Sequence, residues 1–503
     1  MPARTPPWLA LVAGALLAAG CSDDASPTPD ATPPDLWTAD AGIEAAAPDG
    51  PATDAPGGAE MEQLVAFAQH QMQLQGVPGA ALAVVIDGKL AHARGLGVKQ
   101  QGGSEPVTAD SLFSLASVSK TFTAALAMAL VDKGTVKTTD SAASMIPQMT
   151  FSDPALGTQI TLHGLLSHTA CAGYVDISTL AALSIDWSAP ESLVQVFEQV
   201  AWPVWCPPGA VWNYSNMGFS MAGAALQKKL GKPYHELLDQ HLLAPAGMTR
   251  TTALGSEAAA VDHTIGHGAS GPVSIANASM LLDGPNNGVC SSANEMARLA
   301  EVLLAGGAGV LSQAAVTAMS SPQADLSDMV TGQSYGYGLF REPRDGVVVI
   351  SHSGTNRGWT ANLTLVPDKK FAVVVLMNAA TGWPASVSNR ALELFLGLPP
   401  YTTPPFSITQ AELQALANSY HDPFNLGDIQ VAAAGSQLSA TFGSWGHTAP
   451  LSQWGKRSFS VNTSGAMQQA LGVSMLTLTI VPDAAGVGKY LVTRLGVATA
   501  TAP

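Results

Sequence analysis

The stretch Ser114–Gly134, "SLASVSKTFTAALAMALVDKG", opens on small polar residues and then runs as a helix that is apolar on nearly every face. Such a helix belongs inside a large core, and Gly134 supplies the residue at which it stops. At its mouth stand Ser117 and Lys120, three apart and so on one helical face. A serine hydroxyl is a weak nucleophile until a neighbouring base takes its proton. A lysine held among apolar groups loses enough basicity to be that base or to tune it. The backbone amide of Ser117, at the helix N-terminus, is placed to meet the oxyanion of an acyl transfer. A capping serine beside a surface lysine has the same four-residue spacing. Lys120, however, is the only lysine in the chain with a serine three places before it.

The rest of the chain gives that pair a large protein to sit in. With 503 residues, 47% of them hydrophobic, it buries a sizeable core and has length for more than one domain. A formal net charge of -15, with only 22 Lys and Arg, argues against nucleic acid or an anionic membrane surface as a partner.

The N-terminus reads as an address. Arg4 precedes "WLALVAGALLAAG", an apolar run too short to span a bilayer comfortably, so residues 1–21 are expected to be a secretory signal. "LLAAGC" resembles the bacterial lipoprotein signal, in which the cysteine, here Cys21, is lipidated. Leu17 sits one place further from Cys21 than that pattern has it, and the alternative is an ordinary cleaved signal. By analogy with other lipoproteins, Ser22 after the cysteine favours the outer membrane of a Gram-negative cell. Residues 22–60, rich in Pro, Ala, Asp and Thr, are expected to be a disordered tether. The chain is then exported, and held to the cell envelope or periplasm only through that anchor.

A first, larger domain is expected over residues 61–398. "GAALAVVIDGKLAHARGLGV" is two apolar runs joined by Asp87-Gly88, a two-residue hairpin signal. Helical patterns occupy the middle, and strand patterns return after residue 333 as "GVVVISHSG", "GWTANLTLVPD" and "FAVVVLMNAA". This order predicts an α+β domain: one antiparallel sheet built from both ends of the segment, flanked by helices. Residues 405–503 alternate in short segments and predict a small all-β domain, a barrel or sandwich, with no catalytic cluster of its own. "HELLDQH", 235–241, lacks the second histidine of a helical zinc motif, and no phosphate loop or dinucleotide fingerprint occurs, so no cofactor or metal is expected.

Three elements together resemble the serine β-lactamase-like family, which includes class C β-lactamases, serine DD-peptidases, D-aminopeptidases and esterases. They are "SVSK" (Ser117–Lys120), "YSN" (Tyr214–Asn216) and "HSG" (His352–Gly354), each occurring once and in the family's order. "VPGAALAVV", "LLSHTA", "PPGAVWNYSN", "LLAPAGM" and "YGYGL" agree around them, so the likeness spans roughly residues 61–395. It implies that Ser117 is the nucleophile and that Tyr214 passes protons to and from it. Asn216 would hold Lys120 and the substrate amide. His352 and Ser353 would edge the site and meet a substrate carboxylate, while Gly354 lets the backbone approach and the Thr355 amide completes the oxyanion hole. Cys171 and Cys206 flank two of these stretches and are the candidate disulfide; three buried thiols, with Cys290, are the alternative.

Class C β-lactamases usually carry Lys where this chain has His352. A neutral histidine binds a carboxylate less well, which counts against efficient cephalosporin hydrolysis and admits ester substrates. A D-Ala-D-Ala carboxypeptidase-like, D-aminopeptidase-like or esterase-like hydrolase is therefore expected first and a β-lactamase second. The partner is then a peptide, ester or β-lactam. A non-hydrolysing penicillin- or peptidoglycan-binding protein is the reading from outside enzymology, and retention of Ser117, Lys120 and Tyr214 weighs against it. The motifs do not address oligomeric state.

Overall fold

A computed structural model describes residues 56–501, except 176, 279, 280 and 472. The signal segment, Cys21 and the tether up to residue 55 lie outside the described residues. Chain order begins with helix α1 (Gly58–Gln75), three residues earlier than expected, because Gly57 at φ 80° makes the turn into it. Strands β1 (Gly79–Ile86) and β2 (Lys89–Gly97) follow, joined by Asp87 at φ 52° and Gly88 at φ 76°. Positive φ at both loop residues is what a tight hairpin with right-handed twist requires.

The sheet is completed from the far end of the domain by β3 (Ala324–Asp325), β4 (Ser334–Tyr335), β5 (Phe340–Arg344), β6 (Val347–Thr355), β7 (Thr360–Val366) and β8 (Phe371–Met377). Strand order is β2-β1-β8-β7-β6-β5-β4-β3, every pairing antiparallel. Alternate residues of β1 serve two cores. Ala80, Leu82 and Val84 pack with Met61, Leu64 and Ala68 of α1 and with Val387 and Leu392 of helix Pro384–Leu396. Ala81, Ala83 and Val85 face the larger helical core. Burial on both faces explains why β1 and β8 read as unbroken apolar runs and not as alternating strands.

Helix α2 (Ser119–Asp132) runs through that larger core, with every residue from Ser119 to Leu130 buried. Its polar groups are absorbed locally: Ser119 Oγ accepts from the Val289 amide at 2.9 Å and Thr121 Oγ donates to the Gly338 carbonyl at 2.8 Å. Helix α3 (Asn216–Leu230) packs beside it and is capped by Ser215, whose Oγ accepts from the Gly218 amide at 3.0 Å.

The C-terminal region is one nine-stranded antiparallel sheet between Ser419 and Ala500. Its two edge strands, His447–Pro450 and Ser452–Gln453, are consecutive in the chain, so the sheet curls until its edges meet at Leu451 as a nearly closed barrel. Leu438, Phe442, Phe459, Leu478, Ile480 and Met467 pack together as its core. The barrel docks on the hydrolase domain at two places. Tyr490, Val492 and Val497 pack on Trp205, Val211 and the Cys171–Cys206 disulfide. Arg457 pairs with Asp328 at 2.8 Å while its amide donates to the Asp328 carbonyl at 3.0 Å. The loop that carries the disulfide is therefore the floor on which the second domain stands.

Candidate active site

Ser117 does not lie within the α-helix as the spacing argument assumed. It occupies a single 3₁₀ turn, Ala116–Val118, ahead of α2. Ala116 causes the break: its φ of 49° is left-handed, an unusual conformation for a residue with a side chain. Backbone strain of this kind is retained where the surrounding structure demands a particular side-chain direction. The pair still meets, with Ser117 in the turn and Lys120 in the first turn of α2. Lys120 Nζ donates to Ser117 Oγ at 3.0 Å and to the Asn286 carbonyl at 2.9 Å. Lys120 is fully buried, and so is Asn286, whose Nδ2 donates to Ser220 Oγ at 2.7 Å.

Tyr214 closes the cluster. Its ring centre is 4.8 Å from Lys120 Nζ and 6.4 Å from the His352 ring. A neutral imidazole, His168, stacks on it at 4.3 Å and also touches Trp212, Phe219 and Tyr335. His168 Nδ1 accepts from the Ser215 amide at 3.0 Å, which ties the cap of α3 to the base of the tyrosine. Burial first, then the nearby charges of Lys120 and Arg494, hold its pKa well below the usual 6.5. Asn216 sits at the first turn of α3, its amide donating to the Tyr174 hydroxyl at 2.8 Å.

On the sheet side, β5 stops pairing with β6 at Ser351, while β7 continues along β6 to Thr355. Among the described residues, His352–Thr355 thus has one edge without a strand partner. Gly354 lies against the nucleophile turn: a Cβ placed there would come 2.7 Å from the Ser117 amide nitrogen and would also overlap the Leu115 carbonyl oxygen. Ser353 Oγ accepts from Asn362 Nδ2 at 2.8 Å. His352 faces inward. It is 1% exposed, its Nδ1 contacts the Ser353 carbonyl at 2.7 Å and its Nε2 contacts the Tyr335 hydroxyl at 3.2 Å. A carbonyl only accepts, so Nδ1 carries the hydrogen and Nε2 receives one from Tyr335. That ring has no hydrogen left for a substrate carboxylate, which is the role the motif had implied for it. Burial, then Lys120, push its pKa down to about 3.

These two histidines make the fold acid-sensitive. Folded values below the unfolded 6.5 mean that the unfolded chain takes up protons that the folded chain refuses, so stability falls as pH drops from about 6.5 toward 3. The slope is expected to be about 1.4 kcal/mol per pH unit for each histidine. Urea unfolding at pH 7 and pH 5, repeated on His352→Gln, measures it. A pH slope identical in the variant would contradict a neutral buried His352.

The structure thus gathers Ser117, Lys120, Tyr214, Asn216 and His352–Thr355 into one cluster, and Cys171 is bonded to Cys206. Sequence reasoning missed Asn286, His168, Tyr335 and Arg494. His168, within "LLSHTA", and Tyr335, which opens "YGYGL", lay in stretches quoted for the likeness, but neither had been given a role.

With the geometry in hand, comparison with known proteins adds relatives. The family model described as Beta-lactamase matches residues 64–397. "Penicillin-binding protein 4" of Amycolatopsis lactamdurans is 28% identical over 364 residues, 68% of this chain and 93% of that protein. A "Beta-lactamase" of Lysobacter lactamgenus is 26% identical over 349 residues, covering 64% of this chain and 86% of its own length. Among solved structures, SurE aligns with a TM-score of 0.69 at 23% identity, over 88% of this chain and 99% of SurE, and speaks to fold alone.

Proposed function

Because the chain belongs to the beta-lactamase family of serine hydrolases, we propose that it hydrolyses a D-amino-acid peptide or a related ester through an acyl-enzyme on Ser117. The observation that carries this reading is the fully buried Lys120 side-chain nitrogen, 3.0 Å from the Ser117 hydroxyl oxygen. Ser117 Oγ bonds to the substrate carbonyl carbon and gives its proton to the Lys120–Tyr214 pair. The carbonyl electron pair moves to oxygen, facing the amides of Ser117 and Thr355. Collapse expels an amine or alcohol, which takes a proton from Tyr214, and water then repeats the sequence on the ester of Ser117. Peptidase or esterase chemistry ranks ahead of β-lactam turnover because the triplet offers the uncharged His352 where lactamases offer lysine.

Intact-mass spectrometry during incubation with a penicillin tests this. A lasting adduct on the protein, absent from Ser117→Ala, is the expected result, together with release of D-alanine from an N-acyl-D-Ala-D-Ala peptide. Rapid loss of penicillin with no accumulating adduct would favour the β-lactamase. Neither adduct nor any turnover would favour a non-hydrolysing binder.

A further inference from the structure

A site that handles peptide ends needs a charge for the terminal carboxylate, and the inward-facing, neutral His352 does not offer one. A guanidinium arrives from the other domain. Arg494 sits in the turn between barrel strands Gly488–Thr493 and Gly496–Ala500, and its guanidinium carbon is 4.9 Å from the centre of the Tyr214 ring. Lys120 Nζ stands at nearly the same distance, 4.8 Å. The charge of Arg494 also reaches His168 and Tyr174, so it acts inside the aromatic cluster.

This turn is held from both sides. Thr493 Oγ accepts from the amides of Leu495 and Gly496, each at 3.1 Å. The Thr493 carbonyl accepts from Asn213 Nδ2 at 2.6 Å, and Asn213 immediately precedes Tyr214. Beneath it, Val492 and Val497 belong to the apolar contact on Trp205 and the disulfide. Arg494 itself is half-buried.

We propose that Arg494 is the carboxylate subsite of this enzyme. It would receive the free terminal carboxylate of the residue on the leaving side of the scissile bond, so that the barrel completes the active site. The inference rests on the acyl-enzyme reading above. A guanidinium suits the task because its planar fork meets both carboxylate oxygens at once.

The test compares wild type, Arg494→Gln and Arg494→Lys on two substrates, N-acyl-D-Ala-D-Ala and its C-terminal carboxamide. In the wild type kcat/KM favours the free acid. In Arg494→Gln the ratio of the two kcat/KM values is expected to fall about 10- to 100-fold, mainly through KM for the acid, with partial recovery in Arg494→Lys. An equal loss on both substrates, with a displaced pH profile, would assign Arg494 to Tyr214 and overturn the proposal; so would an unchanged ratio. A wild-type protein that cleaves neither peptide and gains no acyl mass would overturn the hydrolase reading first, and intact-mass detection separates that outcome from the other two.

Discussion

Ser117→Ala is expected to lower kcat/KM by about 10⁴-fold or more on every substrate the protein turns over, with little change in melting temperature. The size follows from what is lost. The Ser117 hydroxyl oxygen is the bond-forming atom, and it stands 3.0 Å from Lys120 Nζ. Stability should hold because the Ser117 turn is supported by its backbone and by buried Ala116 and Val118, not by the hydroxyl. Lys120→Met, which keeps the length of a fully buried side chain, is expected to cost about 10²- to 10⁴-fold by removing the base. The double variant should be scarcely worse than Ser117→Ala alone, since residues that act as a unit lose their effect together. Acylation rates with a chromogenic ester, followed by intact mass, give all three values. Full acylation in Lys120→Met would place the base elsewhere; Tyr214, whose ring centre is 4.8 Å from Nζ, is the group to change next.

What the sequence made legible has a physical pattern. Ser117–Lys120, Tyr214–Asn216 and His352–Thr355 are short runs whose chemistry is set by neighbours within four residues, so spacing alone exposes them. The sheet was legible for a similar reason: the Asp87-Gly88 turn and the apolar runs of β1 and β8 are local signals of strand and hairpin. Ser117 in a 3₁₀ turn was not legible, because nothing about Ala116 as a residue type announces a φ of 49°. Packing against β6 imposes it. Asn286 contributes a backbone carbonyl, to which its side-chain identity gives no clue. Arg494 was hidden by distance along the chain: it lies 280 residues after Tyr214, in a domain with no catalytic cluster of its own. Only the docking of Thr493 on Asn213 brings it to the tyrosine. The inward turn of His352 depends likewise on Tyr335, a tertiary partner.

Gly354→Ala is expected to cut kcat about 10²- to 10³-fold. The added Cβ would lie 2.7 Å from the Ser117 nitrogen and 3.0 Å from the Ala116 Cβ, and would overlap the Leu115 carbonyl oxygen. Two of these three are backbone atoms, which cannot swing aside as a side-chain tip can. Either the nucleophile turn or the open edge of β6 must therefore retreat. Both candidate oxyanion donors ride on those two elements, the Ser117 amide on one and the Thr355 amide on the other. Their separation would grow by a distance comparable to the tolerance of a good hydrogen bond. Gly346→Ala distinguishes this from general damage to the sheet. Gly346 lies in the turn that enters β6, at φ 84°, with no atom within 4 Å of where a Cβ would stand. Its substitution costs about 1–2 kcal/mol of backbone strain and is expected to leave kcat intact. If both variants lost stability alike and neither lost kcat, the Ser117 and Thr355 amides would not form the oxyanion hole. A catalytic loss confined to Gly354→Ala would tie acyl transfer to the contact between β6 and the nucleophile turn, the one place where the sheet and the helical half meet at the reacting atom.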